Sequence, residues 1–153
     1  MLIGEFKGTL DDKGRVSLPA ALRKELNEDI LYLTKGEDDC LWLYPSEKFD
    51  KLVNDNLRAV TDPFSKTDRR TLRQHVGSAQ QVEIDKAGRI PIVQNLREFA
   101  SLSKECMILG QLDYIEIWDI DCYNDYFNKD KKGEFESAAE VISQRIKQKR
   151  GIV

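Results

Sequence analysis

The chain has 153 residues, 41% hydrophobic and 33% charged, enough for one ordinary core or two small ones in a globular protein. Its net charge of −3 and pI near 5.3 argue at face value against a nucleic-acid partner. It has no run of about 18 apolar residues that could span a membrane, and its start, MLIGEFKGTL, lacks the charged head and apolar stretch of a secretion signal.

In chain order, alternation predicts a first strand around residues 6–10. It leads into a tight turn ending in Gly14-Arg15, where glycine supplies the positive φ of a short hairpin loop. A short strand at 15–18 follows, then a small amphipathic helix opened by Pro19, with Leu22 and Leu26 on one face. Strands at 30–34 and 40–44 meet at the turn-like segment 36–39. The spacing of Phe49, Leu52, Val53, Leu57 and Val60 predicts a closing helix. Residues 61–78 form a connector, helical from Asp68 to Val76, with Arg69, Arg70 and Arg73 on one side and Leu72 and Val76 on another.

The same order then recurs. LDDKGRVSLPAALRKE (10–25) and IDKAGRIPIVQNLREF (84–99) share Asp11/Asp85, Gly14/Gly88, Arg15/Arg89, Leu22/Leu96 and Arg23/Arg97. Further on, 30–45 is expected to lie over 106–121, which sets Trp42 on Trp118 as equivalent core anchors. Matches in one order over this length indicate two copies of one unit. The expected division is 1–60 for the first unit, 61–78 for the connector, 79–128 for the second unit and 129–153 for a helical tail. One such unit is short and leaves open strand edges, so the two should cover each other.

Charge is distributed in blocks. Residues 1–24 carry five basic and three acidic side chains, 66–97 seven and three, and 141–153 four and none. Residues 25–55 and 113–140 each carry three basic and nine acidic. Screening limits the reach of an exposed charge to about 8–10 Å, so this placement outweighs the sum. The three cysteines (Cys40, Cys106 and Cys122) form no C-x-x-C pair, which fits unpaired thiols in the reducing cytoplasm.

The two Asp-x-x-x-Arg turns, Asp11 to Arg15 and Asp85 to Arg89, each followed by Leu-Arg, resemble the signature of the MraZ family. The opening Phe-Lys-Gly, the length, the duplication and the second Gly-Arg-Ile agree with it along nearly the whole chain. The resemblance implies a mainly β, α+β fold: tandem swapped-hairpin units of the AbrB-like kind forming one pseudo-two-fold barrel, plus a C-terminal helix. It also implies a homo-oligomeric ring, such as an octamer, binding double-stranded DNA at promoter repeats of the division and cell-wall gene cluster. The expected location is the cytoplasm, at the nucleoid. The second copy departs from the pattern: Pro91 comes two residues early, Val93 stands where proline is usual, and Ala87 aligns with Lys13. More weight therefore falls on the first copy.

A stiff hairpin tip suits a groove or a line of phosphates. Lys13, Arg15, Lys86 and Arg89, with Lys7 and Arg23, are the candidate DNA-binding residues; arginine can fork onto phosphate or a guanine edge, and lysine offers a point charge. Asp11, Gly14, Asp85 and Gly88 are read as structural, although Asp–Arg pairing could equally make the arginines ties within the fold. The basic tail, with its apolar stripe from Phe135 to Ile146, is either a packed helix or an arm touching DNA.

No enzyme is expected. His75 is the one histidine, zinc ligation has little support, no phosphate-binding glycine loop occurs, and the acidic stretch 113–125 lacks the glycine and closing glutamate of a calcium loop. No cofactor, metal or membrane partner is predicted. The competing class is an oligomeric scaffold or an antitoxin-like interaction module that leaves DNA untouched.

Overall fold

The computed structural model describes residues 1–129 and 132–151; residues 130, 131, 152 and 153 of the expected tail lie outside the described residues. The chain forms two compact units, Met1–Cys122 and Tyr123–Val153.

The first unit holds eight strands: β1 (Leu2–Thr9), β2 (Arg15–Ser17), β3 (Ile30–Lys35), β4 (Leu41–Pro45), β5 (Gln80–Glu83), β6 (Arg89–Pro91), β7 (Glu105–Leu112) and β8 (Ile115–Asp119). Six make one sheet in the order β1-β7-β8-β4-β3-β5, and β2 pairs with β6 in a separate two-stranded sheet. Every pairing is antiparallel. The order shows the exchange. β1 of the first copy adds to the β7–β8 hairpin of the second, while β5 of the second adds to the β3–β4 hairpin of the first. The expected mixed α+β, swapped-hairpin architecture is present, but the barrel does not close. β1 pairs only with β7 and β5 only with β3, so both remain sheet edges.

Alternation along the strands explains the layers. On β1, Leu2 is buried and Phe6 half-buried, while Ile3, Glu5, Lys7 and Thr9 point outward. Val16 and Ile90, directly opposed in the β2–β6 pair, are fully buried and join Leu22, Leu33, Leu43, Leu96, Ile108 and Ile117 in one core drawn from both copies. The helices α1 (Ala20–Arg23) and α5 (Gln94–Phe99) contribute Leu22 and Leu96 to that core.

The register corrects one expectation. Tyr32 pairs with Tyr44 and Met107 with Trp118, each one step before the strand leads into a helix, so Trp118 is the counterpart of Tyr44. Trp42 instead lies opposite Glu116, its own counterpart, where β4 meets β8. The pseudo-two-fold axis passes through this Trp42–Glu116 pair. The two positions differ in burial as well: Trp118 is buried and Trp42 only half-buried.

The helix α2 (Ser46–Lys51) runs on through a π-helical stretch, Leu52–Leu57, to a last turn α3 (Arg58–Val60). In the connector, α4 (Lys66–Leu72) is capped by the Ser65 hydroxyl, which accepts from the Asp68 N–H, and continues as a π-helical stretch, Arg73–Gly77. This segment is pinned to the β3–β4 hairpin. The Thr34 hydroxyl donates to the His75 carbonyl at 2.6 Å, and the buried His75 ring stacks on Trp42 with 4.7 Å between centroids. His75 Nδ1 meets the Lys35 carbonyl and Nε2 meets Glu37, each at 2.8 Å, so the ring serves as a structural tie. At the other end of the sheet, Asp119 takes the place of Pro45 and caps the next helix, α6 (Ile120–Lys129), accepting from the Asp121 and Cys122 amides. Burial alone would raise the Asp119 pKa, but the Ser103 hydroxyl and amide and the helix amides outweigh it and hold the carboxyl below the ordinary range. The last helix, α7, spans Lys132–Lys149. No helix among the described residues is long and apolar enough to cross a membrane.

A core shared between copies makes a prediction. Ile90→Ala should destabilise the whole first unit by about 2–5 kcal/mol in chemical denaturation, through lost contacts and a residual cavity. Both copies should unfold in a single transition; two separated transitions would show that the copies fold independently.

Candidate nucleic-acid interface

Each Asp-x-x-x-Arg turn is a closed hydrogen-bond ring. The Asp11 amide donates to the Arg15 carbonyl at 2.8 Å and the Gly14 amide to the Asp11 carbonyl at 3.0 Å. The Asp11 carboxylate reaches over this loop. Oδ1 accepts the Lys13 and Arg15 amides, each at 2.9 Å, and Oδ2 accepts Arg15 Nε at 2.8 Å. The second turn repeats the pattern: Asp85 Oδ1 accepts the Ala87 and Arg89 amides and Oδ2 accepts Arg89 Nε, all at 2.9 Å. Gly14 and Gly88 have φ of +77° and +81°, which the turn requires and other residues rarely adopt.

The two turns are locked into one another. Gly14 accepts the Ile92 amide at 2.9 Å, and Gly88 accepts the Leu18 amide at 2.8 Å. The guanidinium of Arg97 lies directly over Gly14 and donates to the Ile92 carbonyl, while Arg23 lies over Gly88. A β-carbon at either glycine would collide with the guanidinium of the opposite copy. Arg23, a DNA-binding candidate from sequence, is thus half-buried against the partner turn, and its Nε is buried without a hydrogen-bond partner. Arg97 did not stand out from sequence as a site residue, although its identity with Arg23 in the repeat was a signal. Its role depends on the exchange of hairpins, which no local pattern reveals.

Arg15 and Arg89 share a face. In the β2–β6 pair Arg15 opposes Pro91 and Ser17 opposes Arg89, so all four stand on the side away from Val16 and Ile90. The arginines lie on the diagonal, where Cα atoms are about 7–8 Å apart. Each is half-exposed, at 27% and 34% of the side chain. Because the aspartate engages only Nε, the terminal nitrogens take no hydrogen bond among the described residues. Lys13 and Lys86 are exposed in the turns. Lys7 is exposed on the outer face of β1 and, with Thr9, Ser17 and Pro19, borders an open groove of about 560 Å³. The structure therefore brings Arg15 and Arg89 together on one face, sets Lys13 and Lys86 in the turns that flank it, places Lys7 at a groove that Ser17 also borders, and turns Arg23 inward.

Chemically, this face offers cationic donors held in fixed orientation, suited to an anion or a base edge. Among the described residues no cluster of three or more His, Cys, Asp or Glu is placed to hold a metal ion. Cys40 and Cys106 are buried; burial pushes the Cys106 thiol up to about 11 and Cys40 higher still, which makes both poor nucleophiles.

The backbone amide of Arg15, then its guanidinium, and the Lys13 amide hold the Asp11 carboxyl below the ordinary carboxylate range; Arg89 and the Ala87 amide do the same for Asp85. A lowered folded-state pKa contributes stability that is complete above the unfolded value, near 3.9, and is lost as pH falls from there through the lower folded value. The melting temperature should therefore decline below about pH 4, and an Asp11→Asn/Asp85→Asn double variant should flatten that part of the profile. An unchanged acid limb in the double variant would show that the turns carry none of it.

The family model described as "MraZ protein, putative antitoxin-like" matches twice, over residues 1–74 and 76–146. A protein of Treponema denticola named "Transcriptional regulator MraZ" is 39% identical over 143 residues, covering 94% of this chain and 98% of its own.

Proposed function

The chain belongs to the MraZ family, and from that premise we propose that it is a transcriptional regulator that reads repeated double-stranded promoter elements through the β2–β6 face. The observation that carries the reading is the pair of arginines on one exposed sheet face. Each is oriented at Nε by its own aspartate, which leaves the terminal nitrogens for phosphate or for the O6 and N7 of guanine. Lys13 and Lys86 add phosphate contacts at the turns, and Lys7 extends the track along the groove beside β1. Arg23 acts indirectly, by bracing the Gly88 turn. Asp11 and Asp85 remain next to DNA because each is covered by its arginine.

One such face makes few contacts and binds weakly. A ring of copies, such as an octamer, multiplies it, and DNA with spaced repeats engages several faces at once, raising avidity by roughly 10² to 10⁴. The acidic blocks do not oppose this, since they fall outside the turns. The repeats upstream of the division and cell-wall genes are the proposed target, and the cytoplasmic nucleoid the proposed location. No catalytic group is assigned.

One observation favours a second reading. The Asp–Arg pairs are complete as internal ties, and in a scaffold or antitoxin-like module they would need no DNA.

Binding to tandem-repeat DNA and to scrambled DNA across a salt series separates the two. Repeat-specific binding should steepen in its salt dependence with the number of phosphates neutralised. Arg15→Ala should weaken it about tenfold or more, corresponding to the roughly 1–3 kcal/mol of a forked base contact, with Arg89→Ala equal or smaller. Arg23→Ala should lower thermal stability and leave the salt slope unchanged. Absence of repeat preference at every salt concentration, or indifference to both turn arginines, would support the scaffold.

A further inference from the structure

The connector is fastened to the first hairpin by a side chain that the proposed DNA contact leaves unused. His75, the one histidine of the chain, has only 4% of its side chain exposed. Both ring nitrogens face oxygen: Nδ1 lies 2.8 Å from the Lys35 carbonyl and Nε2 lies 2.8 Å from the Glu37 carboxylate. A neutral imidazole has one N–H and one lone pair, so it satisfies one of these contacts and sets lone pair against lone pair at the other. Turning the ring over would bring its carbons to the same oxygens. A carbonyl cannot donate, and Glu37 has 67% of its side chain in water, where the charged carboxylate is favoured. Only the doubly protonated ring donates to both.

The surroundings favour that cation. Trp42 stacks on the ring with 4.7 Å between centroids and 11° between planes, and an indole face attracts positive charge. In the β3–β4 turn, Glu37 is followed by Asp38 and Asp39; burial, then the Asp39 and Glu37 carboxylates, push the Asp38 carboxyl above its ordinary range. Lys35 is directed elsewhere, with its ammonium 5.1 Å from the centre of the Phe99 ring. Behind Trp42, β8 brings Glu116 and the Tyr114 phenol; the Cys40 thiol donates to Glu116 and is kept protonated chiefly by burial. On the connector itself, Arg73 is exposed. The ring is the ionic part of a clasp. The Gln74 side chain donates to the Gly36 carbonyl at 2.6 Å, and Thr34 donates to the His75 carbonyl. β5 begins at Gln80, just beyond this clasp, and is held by β3 alone over four residue pairs. The clasp therefore sets where the exchanged strand enters the sheet.

We propose that His75 is the proton-binding group of a switch: protonated, it clasps the connector to the β3–β4 hairpin, and on giving its proton to water it releases the connector and loosens β5 at its entry. The geometry fixes the sign. The clasp is complete in acid and weakens as pH rises through the range, about pH 5–8, in which histidine ordinarily changes charge. It belongs to the first copy alone, since the chain has no second histidine. The switch uses neither turn arginine and is measured without DNA.

Nitrogen NMR of the full-length chain, labelled at histidine, reads the state of this single ring directly. Two protonated ring nitrogens are expected at and below about pH 6, giving way to one protonated and one bare nitrogen as pH rises. Over the same interval the hydrogen-exchange protection of amides 74–79 should fall about tenfold or more, once the intrinsic rate is corrected for pH. Glu37→Gln keeps an oxygen near Nε2 and removes the charge, so both changes should move together to lower pH. His75→Phe keeps the stack on Trp42 and should make the protection of these amides independent of pH. If that variant does not fold, the wild type and Glu37→Gln decide the matter. A ring with one bare nitrogen throughout, protection that ignores the ring's titration, or a transition that Glu37→Gln leaves in place would overturn the proposal.

Discussion

A strand edge that its own unit cannot cover is the constraint on which the rest of this molecule depends. Each copy supplies a hairpin, β3–β4 or β7–β8, and a separate first strand, β1 or β5, that adds to the hairpin of the other copy. The exchange satisfies the backbone of an inner strand that would otherwise be an edge, and it obliges β2 and β6 to meet. Because β2 and β6 pair, their buried members Val16 and Ile90 face a common core, and their other members, Arg15, Ser17, Arg89 and Pro91, face out together. The candidate interface is thus a by-product of how the edges are covered.

The turn that feeds this pair is built for stiffness. One aspartate holds two amides and a guanidinium, glycine supplies the left-handed step, and an arginine from the opposite copy lies over that glycine. The arrangement divides the arginines of the motif into two kinds. Arg15 and Arg89 are tethered at one nitrogen and open at the others. Arg23 and Arg97 are spent on holding the turns. A lysine could not replace the first kind without loss, since a single nitrogen cannot both pair with the aspartate and reach beyond it.

Much of this was legible from the residues. Asp11, Gly14 and Arg15, repeated as Asp85, Gly88 and Arg89, fix the local turn chemistry, and local chemistry is what a sequence pattern carries well. The division into β2 and α1, or β6 and α5, followed from Pro19, Leu22 and their counterparts. What escaped was long-range. The burial of Arg23 depends on a turn some 65 residues away. The tryptophan match misled because identity at Trp42 and Trp118 outweighed loop length: the first hairpin needs one more residue between its strands than the second, so the true counterpart of Trp118 is Tyr44. β1 starts at Leu2, earlier than its own alternation indicates, because the eight residues of β7 are there to pair with it. The open sheet, where a barrel was expected, follows from the same pairing, which leaves the outer sides of β1 and β5 unused.

Joining the two copies in one chain has a further effect. Two separate but identical chains would be bound to an exact dyad, and anything lying across it would see the same surface in both directions. Here the dyad is only approximate. Trp42 faces Glu116 across it, Ser17 answers to Pro91, and Lys13 answers to Ala87. The fused pair consequently has a left and a right, and a ligand lying across it has a preferred direction.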